Sequence, residues 1–166
     1  MLNNNKLDLH TLPTDPFEPA GYTIFISAAL FTYAEQVFNR HLRDALAADG
    51  FRVILPQEFE MQVHEKELFD QCVNGIERAD LVLAVVDGAE VDVGVGFEMG
   101  LAYSKGKPVL ALRTDFRRRA ETTAGCLNLM LHYGATRMIN AGDNPFQEAT
   151  LSVRQMLQDV KNHPKS

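Results

Sequence analysis

Three acids, Asp87, Asp92 and Glu98, concentrate the chemistry of this chain. The segment Leu81-Val-Leu-Ala-Val-Val-Asp87, Gly88-Ala-Glu-Val-Asp92-Val-Gly-Val-Gly96, Phe97-Glu98-Met-Gly-Leu-Ala102 carries them. A valine-rich run ending in an acid has the pattern of a buried parallel strand reaching the edge of its sheet. A loop with glycines and two further acids is expected next, and then a helix with Glu98 in its first turn. There the helix dipole would keep the carboxylate ionised and nucleophilic even when partly buried. Ligands of open α/β sheets bind beyond the carboxyl ends of the strands, where these acids should converge. Carboxylates held this close repel one another, an arrangement seldom kept without a ligand or a shared proton. Such a group suits attack on an electron-poor carbon better than capture of a phosphate.

Other chemistries fit the residues less well. Gly94-Val-Gly96-Phe-Glu-Met-Gly100 looks at first like a dinucleotide fingerprint, but its third glycine comes one place late and its loop is acidic. Glu90, Asp92 and Glu98 would repel a pyrophosphate. Gly94 and Gly96 are better used where backbone approaches a small ligand closely. Histidines 10, 41, 64, 132 and 163 lack metal-ligand spacing, and His64-Glu65 does not open an H-E-x-x-H helix. A magnesium site from Asp87, Asp92 and Glu98 would lack a phosphate binder, so no metal and no cofactor is expected. Arg117-Arg-Arg119 is read first as a solvated loop and otherwise as a phosphate or partner contact. No G-x-S-x-G elbow supports serine hydrolase chemistry.

The elements that must position the acids follow from periodicity. Tyr22 to Ser27 reads as a first strand, Phe51 to Leu55 as a second stopped by Pro56, and Asp80 to Val86 as a third. Lys107 to Leu112 and Thr136 to Ile139 complete the set. Thr32 with Glu35 forms a capping box for a helix whose apolar face runs Ala34, Val37, Phe38, Leu42, Ala45 and Leu46, closed by Gly50. Further helices are expected from about Glu67 to Arg78, from around Glu98 (in its first turn) to near Gly106, briefly over Leu127 to Leu131, and from Pro145 to Lys161. Residues 58–65 read as a loop over the crevice, and Arg113 to Arg119 as a basic loop. Strands alternating with helices predict an α/β fold: a flavodoxin-like or Rossmann-like doubly wound sheet of about five parallel strands with helices on both faces. Residues 1–20, with Pro13, Pro16 and Pro19, read as an extended arm, and residues 21–163 as one domain.

Bulk properties narrow the function classes. The chain has 166 residues and a formal net charge of −6, which argues against a nucleic-acid partner, since non-specific binding needs a basic footprint. No apolar stretch approaches the roughly 20 residues that span a bilayer, and no signal peptide is apparent, so a cytoplasmic protein without a membrane partner is expected. Cys72 and Cys126 form no C-x-x-C pair and read as reduced thiols.

Taken together, these residues resemble the nucleoside 2-deoxyribosyltransferase family. The similarity begins at Thr23-Ile-Phe-Ile-Ser-Ala-Ala-Leu-Phe-Thr32 and continues through Asn74-Gly-Ile-Glu-Arg-Ala-Asp80. Its most specific part is Asp92-Val-Gly-Val-Gly-Phe-Glu98-Met-Gly-Leu-Ala102, followed by Gly106-Lys-Pro-Val109 and Leu127-Asn128-Leu-Met-Leu131. The resemblance implies that Glu98 is a nucleophile taking the deoxyribosyl group as a covalent ester. It implies that Asp92 assists proton movement or holds the sugar, and that Asn128 reaches a neighbouring subunit's site in a homo-oligomer. Ser27, Ala28, Phe25, Phe31, Asp87, Gly94, Gly96 and Met130 are the implied substrate-binding positions. The implied partners are a deoxynucleoside and a free nucleobase.

Two positions depart from the family pattern. Phe25 stands where many members have a tyrosine, so a hydroxyl contact to the nucleophile is expected to be lost. Cys72 stands where an aspartate associated with base recognition is usual. Hydrolysis of deoxynucleoside 5′-monophosphates through the same glutamate is the second reading, and a non-catalytic nucleotide-binding module the third.

Overall fold

The computed structural model describes residues 18–60, 63–115 and 127–163. Five strands, β1 (Thr23–Ser27), β2 (Arg52–Ile54), β3 (Leu81–Val85), β4 (Val109–Arg113) and β5 (Arg137–Asn140), form one sheet. All four pairings are parallel, and the order is β2-β1-β3-β4-β5. This is the flavodoxin-like doubly wound order, in which the chain leaves β1 on one side and returns to β3 on the other. The switch point therefore lies between the carboxyl ends of β1 and β3.

Alternation along the strands divides the core into two layers. Ile24 and Ile26 of β1 pack with Leu81, Leu83, Leu110 and Leu112 beneath α1 (Tyr33–Ala48) and α5 (Pro145–Asn162). Phe25 points to the opposite face. There it joins Val82, Ala84, Val86, Val109 and Ala111 beneath α2 (Glu65–Arg78) and α3 (Val93–Ser104). A short α4 (Leu129–Gly134) leans on α3, where a Cβ at Gly96 would lie 3.7 Å from Leu131. The central strands are nearly continuous apolar runs because both faces of the sheet are covered.

Local signals explain where the helices begin and end. The Thr32–Glu35 capping box is complete: Glu35 N–H donates to Thr32 Oγ1, and the Glu35 carboxylate accepts from Thr32 N–H. Gly50, at φ +96°, turns the chain out of α1 in a conformation other residues resist. Gly75 permits a close approach instead, since a Cβ there would come within 2.9 Å of the Phe25 ring.

Several boundaries differ from expectation. Helix α2 starts at Glu65 rather than Glu67, with His64 Nδ1 accepting from Lys66 N–H as its cap. Gly94 and Gly96 are not in a loop but in the first turns of α3. Arg113 does not open a solvated loop; it ends β4 and is 3% exposed. Residues 1–17 of the expected arm and the Arg117–Arg119 run lie outside the described residues, while Pro19–Gly21 form a 3₁₀ turn.

Candidate active site

Ser27 ends β1, and its side chain projects to the same face as Phe25, toward α3. Its hydroxyl donates to Glu98 Oε2 across 2.5 Å. Ser27 is fully buried, and Glu98 is half-buried beside it. The expected loss of a hydroxyl contact is thereby corrected. Phe25 has no hydroxyl, but Ser27, two residues further on the same face of β1, supplies one.

Helix α3 begins one turn earlier than the sequence suggested. Asp92 is its N-cap, and its Oδ1 accepts from Gly94 N–H at 2.8 Å and Val95 N–H at 3.2 Å. Glu98 consequently lies in the second turn, beyond the strongest effect of the helix amino terminus. The expectation that the dipole keeps Glu98 readily ionised is overturned. Burial pushes its carboxyl from 4.5 up to about 7; the Ser27 hydrogen bond opposes that rise, and the Asp92 charge adds to it. Desolvation wins because a partly buried carboxylate loses more hydration than one hydroxyl returns. A carboxyl titrating near neutrality is a feature shared by many catalytic acids and bases.

Cys72 of α2 belongs to the same electrostatic neighbourhood. Burial first, and the Glu98 charge second, raise its thiol to about 11. Cys72 is therefore a neutral thiol at physiological pH, an uncharged group where a carboxylate would add a further negative charge beside Glu98.

Asp87 is engaged by the segment after β4. Thr114 N–H at 2.6 Å, Asp115 N–H at 2.8 Å and the Thr114 hydroxyl all donate to its carboxylate. Arg113 reinforces the same edge: Nη1 donates to Val86 O at 2.6 Å, Nη2 to Gly88 O at 3.1 Å and Nε to Asp115 O at 3.1 Å. Together these bonds tie the segment after β3 to the segment after β4. Sequence reasoning missed Thr114, Asp115 and the buried role of Arg113. The available signal was a charged residue ending an otherwise apolar strand.

The remaining positions are distributed around the mouth. Phe31 is exposed, and its N–H donates to Glu35 Oε2 at 2.9 Å. Asn39, buried under the β1–α1 connection that carries Ala28, donates to Ala29 O at 2.9 Å and to Gln57 Oε1 at 3.1 Å. Phe25 is fully buried against Gly75. A ligand would touch it only through a rearranged core, so its place is beneath the site. Asn128 is the exposed N-cap of α4, accepting from Met130 N–H at 2.9 Å, and Met130 is exposed beside it. Gly94 is exposed at the start of α3. Among the described residues, no three histidine, cysteine, aspartate or glutamate side chains converge as a metal site.

The family model described as nucleoside 2-deoxyribosyltransferase matches residues 24–130, a span that includes Ser27, Cys72, Asp92, Glu98 and Asn128. The chain belongs to the nucleoside 2-deoxyribosyltransferase family. As a member it is an enzyme of the N-glycosyl transfer type, acting on nucleosides and nucleobases. Among solved structures it is similar to a 2-deoxyribosyltransferase from Bacillus psychrosaccharolyticus at 18% identity and a TM-score of 0.63, covering 77% of this chain and 90% of that one. It is also similar to a 2-deoxyribosyltransferase from Leishmania mexicana at 21% identity and a TM-score of 0.61, covering 78% and 97%. A third similar structure, the CMP N-glycosidase of Clostridium botulinum, has 20% identity and a TM-score of 0.55, covering 78% and 98%. At these identities the likenesses establish the shared fold. A search of curated protein sequences found no match. No helix among the described residues is long and apolar enough to cross a membrane.

Proposed function

We propose that this family member transfers a 2-deoxyribosyl group between nucleobases through a covalent ester on Glu98. The carrying observation is the placement of Glu98: a half-buried carboxylate at the switch point of the sheet, hydrogen-bonded to Ser27 and raised to about 7. A lone pair on a Glu98 oxygen forms the new bond to C1′ as the C1′–N bond breaks. The electron pair of that bond leaves with the base, which takes up a proton. The acceptor base then attacks C1′ through a ring nitrogen and loses its proton, and the ester electron pair returns to Glu98. Both steps pass through an oxocarbenium-like state, which a desolvated carboxylate stabilises more strongly than a hydrated one. The positive charge developing at C1′ also favours the ionised form of Glu98 when that form is needed.

Asp92 is proposed to assist proton movement or hold the sugar through the carboxylate oxygen not engaged with α3. The site is proposed to be completed by a second copy of the chain, with Asn128 reaching the neighbour's pocket. Two observations support this assembly. Helix α3 carries apolar residues on its outer side as well as its inner one: Val95, Met99 and Ala102 are buried, while Val93 is 86% and Phe97 54% exposed. Beside it, Met130 of α4 is 75% exposed. Neighbouring exposed apolar side chains of this kind mark a surface suited to contact with another chain. The free Cys72 thiol is consistent with a reducing, cytoplasmic setting.

Hydrolysis is the second reading, favoured by the likeness to a CMP N-glycosidase, because water can replace the acceptor base at the same ester. Incubation with deoxyinosine, with and without adenine, separates the two. Deoxyadenosine formation supports transfer; deoxyribose release unaffected by adenine supports hydrolysis. Glu98→Ala should abolish either reaction, and full turnover in that variant would remove Glu98 as the nucleophile.

A further inference from the structure

The Ser27–Glu98 hydrogen bond has features that separate it from substrate binding. Ser27 is fully buried, so its hydroxyl meets Glu98 and not a ligand entering from solvent. The serine is held rigidly, because its strand lies between two partners: β1 pairs with β2, and Ser27 itself is in register with Ala84 of β3. Glu98, by contrast, has a long side chain with several torsions to fix. A carboxylate has two oxygens, and a donor fixed on one determines the direction of the other. At 2.5 Å the contact has the length of a charge-assisted O–H···O⁻ bond, which is stronger than a neutral one.

We propose that Ser27 is the positioning residue of the nucleophile: by donating its hydroxyl to Oε2 it favours the carboxylate form of Glu98 and aims Oε1 at the sugar carbon. This rests on the transfer reaction proposed above and adds to it a residue that acts without touching substrate. The same bond helps the second half of the reaction. When the ester breaks and the electron pair returns to Glu98, a donor already in place stabilises the departing carboxylate without reorganisation. Asp92, whose charge opposes ionisation of Glu98, faces the carboxylate from α3, and the neutral Cys72 faces it from α2. Among these neighbours Ser27 is the group that favours the charged state.

The test compares Ser27→Ala and Ser27→Cys with the unaltered protein by two measurements. The first is the pH profile of kcat/KM for base exchange; the second is the titration of the Glu98 side-chain carboxyl by carbon-13 NMR. Ser27→Ala should move both the acidic limb of the profile and the NMR midpoint to higher pH. For a midpoint moved by about one pH unit, activity below the limb falls about tenfold and largely returns at alkaline pH. Ser27→Cys, with its weaker donor, should lie between. An acidic limb and NMR midpoint that do not move in Ser27→Ala would overturn the proposal. A merely structural role for Ser27 would lower activity equally at all pH values, and that result would overturn it too. If Glu98→Ala remains active while Ser27→Ala still moves the Glu98 titration, the nucleophile reading fails and only the aiming of Oε1 falls with it. If Glu98→Ala is inactive and Ser27→Ala changes neither measurement, the positioning role alone fails.

Discussion

Ser27 and Glu98, 71 residues apart in sequence, share a 2.5 Å hydrogen bond at the carboxyl end of the sheet. It opposes two influences that disfavour charge on Glu98, namely burial and the Asp92 carboxylate. The net result is a group titrating near 7, so its protonation couples to folding as well as to reaction.

That coupling has a definite sign. The unfolded carboxyl titrates near 4.5 and the folded one near 7, so the folded state holds an extra proton between these values. Stability therefore falls as pH rises through that window, by up to about 3 kcal/mol once Glu98 is ionised. Glu98→Gln removes the titration and still offers Ser27 an acceptor. Its Tm should exceed that of the unaltered protein increasingly from pH 4.5 to about 8. A constant difference across that range would show that Glu98 does not titrate there.

Asp87 is expected to act on stability rather than on the sugar. Its carboxylate accepts from Thr114 N–H, Asp115 N–H and the Thr114 hydroxyl. Asp87→Ala leaves those donors without their acceptor and should lower unfolding free energy by about 2–4 kcal/mol, measured by urea denaturation. An unchanged midpoint with a raised KM would instead place Asp87 against the substrate.

The contact between Gly75 and Phe25 predicts an overpacked variant. In Gly75→Ala the new methyl would come within 2.9 Å of Phe25 Cε2 and 3.3 Å of Ile54 Cγ2. Phe25 is fully buried and has little room to move, so a loss of about 1–3 kcal/mol is expected in thermal or urea unfolding. Adding Phe25→Leu should recover part of it. No recovery would locate the strain elsewhere.

A shared site predicts complementation between two inactive variants. Mixing equal amounts of Glu98→Ala and Asn128→Ala, with subunit exchange, makes half of the dimers mixed, and one site in each mixed dimer holds both intact residues. About a quarter of normal activity should return. If each subunit completes its own site, mixing restores nothing.

The sequence already carried the fold. Branched runs ending at Asp87 and Pro56, the Thr32–Glu35 box and Gly50 each act over a few residues, and each agrees with the final arrangement. Strand order was narrowed but not decided, because parallel strands joined by helices admit few arrangements without selecting which strands become neighbours. The helix around Glu98 was harder to place. Gly94 and Gly96 argue locally for a loop, but the Asp92 cap and burial of Val95 and Met99 draw them into α3.

The sequence by itself determined which residue types stand at the mouth of the sheet: Ser27, Cys72, Asp92 and Glu98. Tertiary structure alone decided what each of them does to the others. Serine and glutamate far apart in the chain meet because β1 and β3 are neighbours, a pairing with no local signature. Ionisation of Glu98 depends on how much water the surrounding elements exclude and which charges they bring near. Those are sums over the whole fold, and no short stretch of sequence contains them.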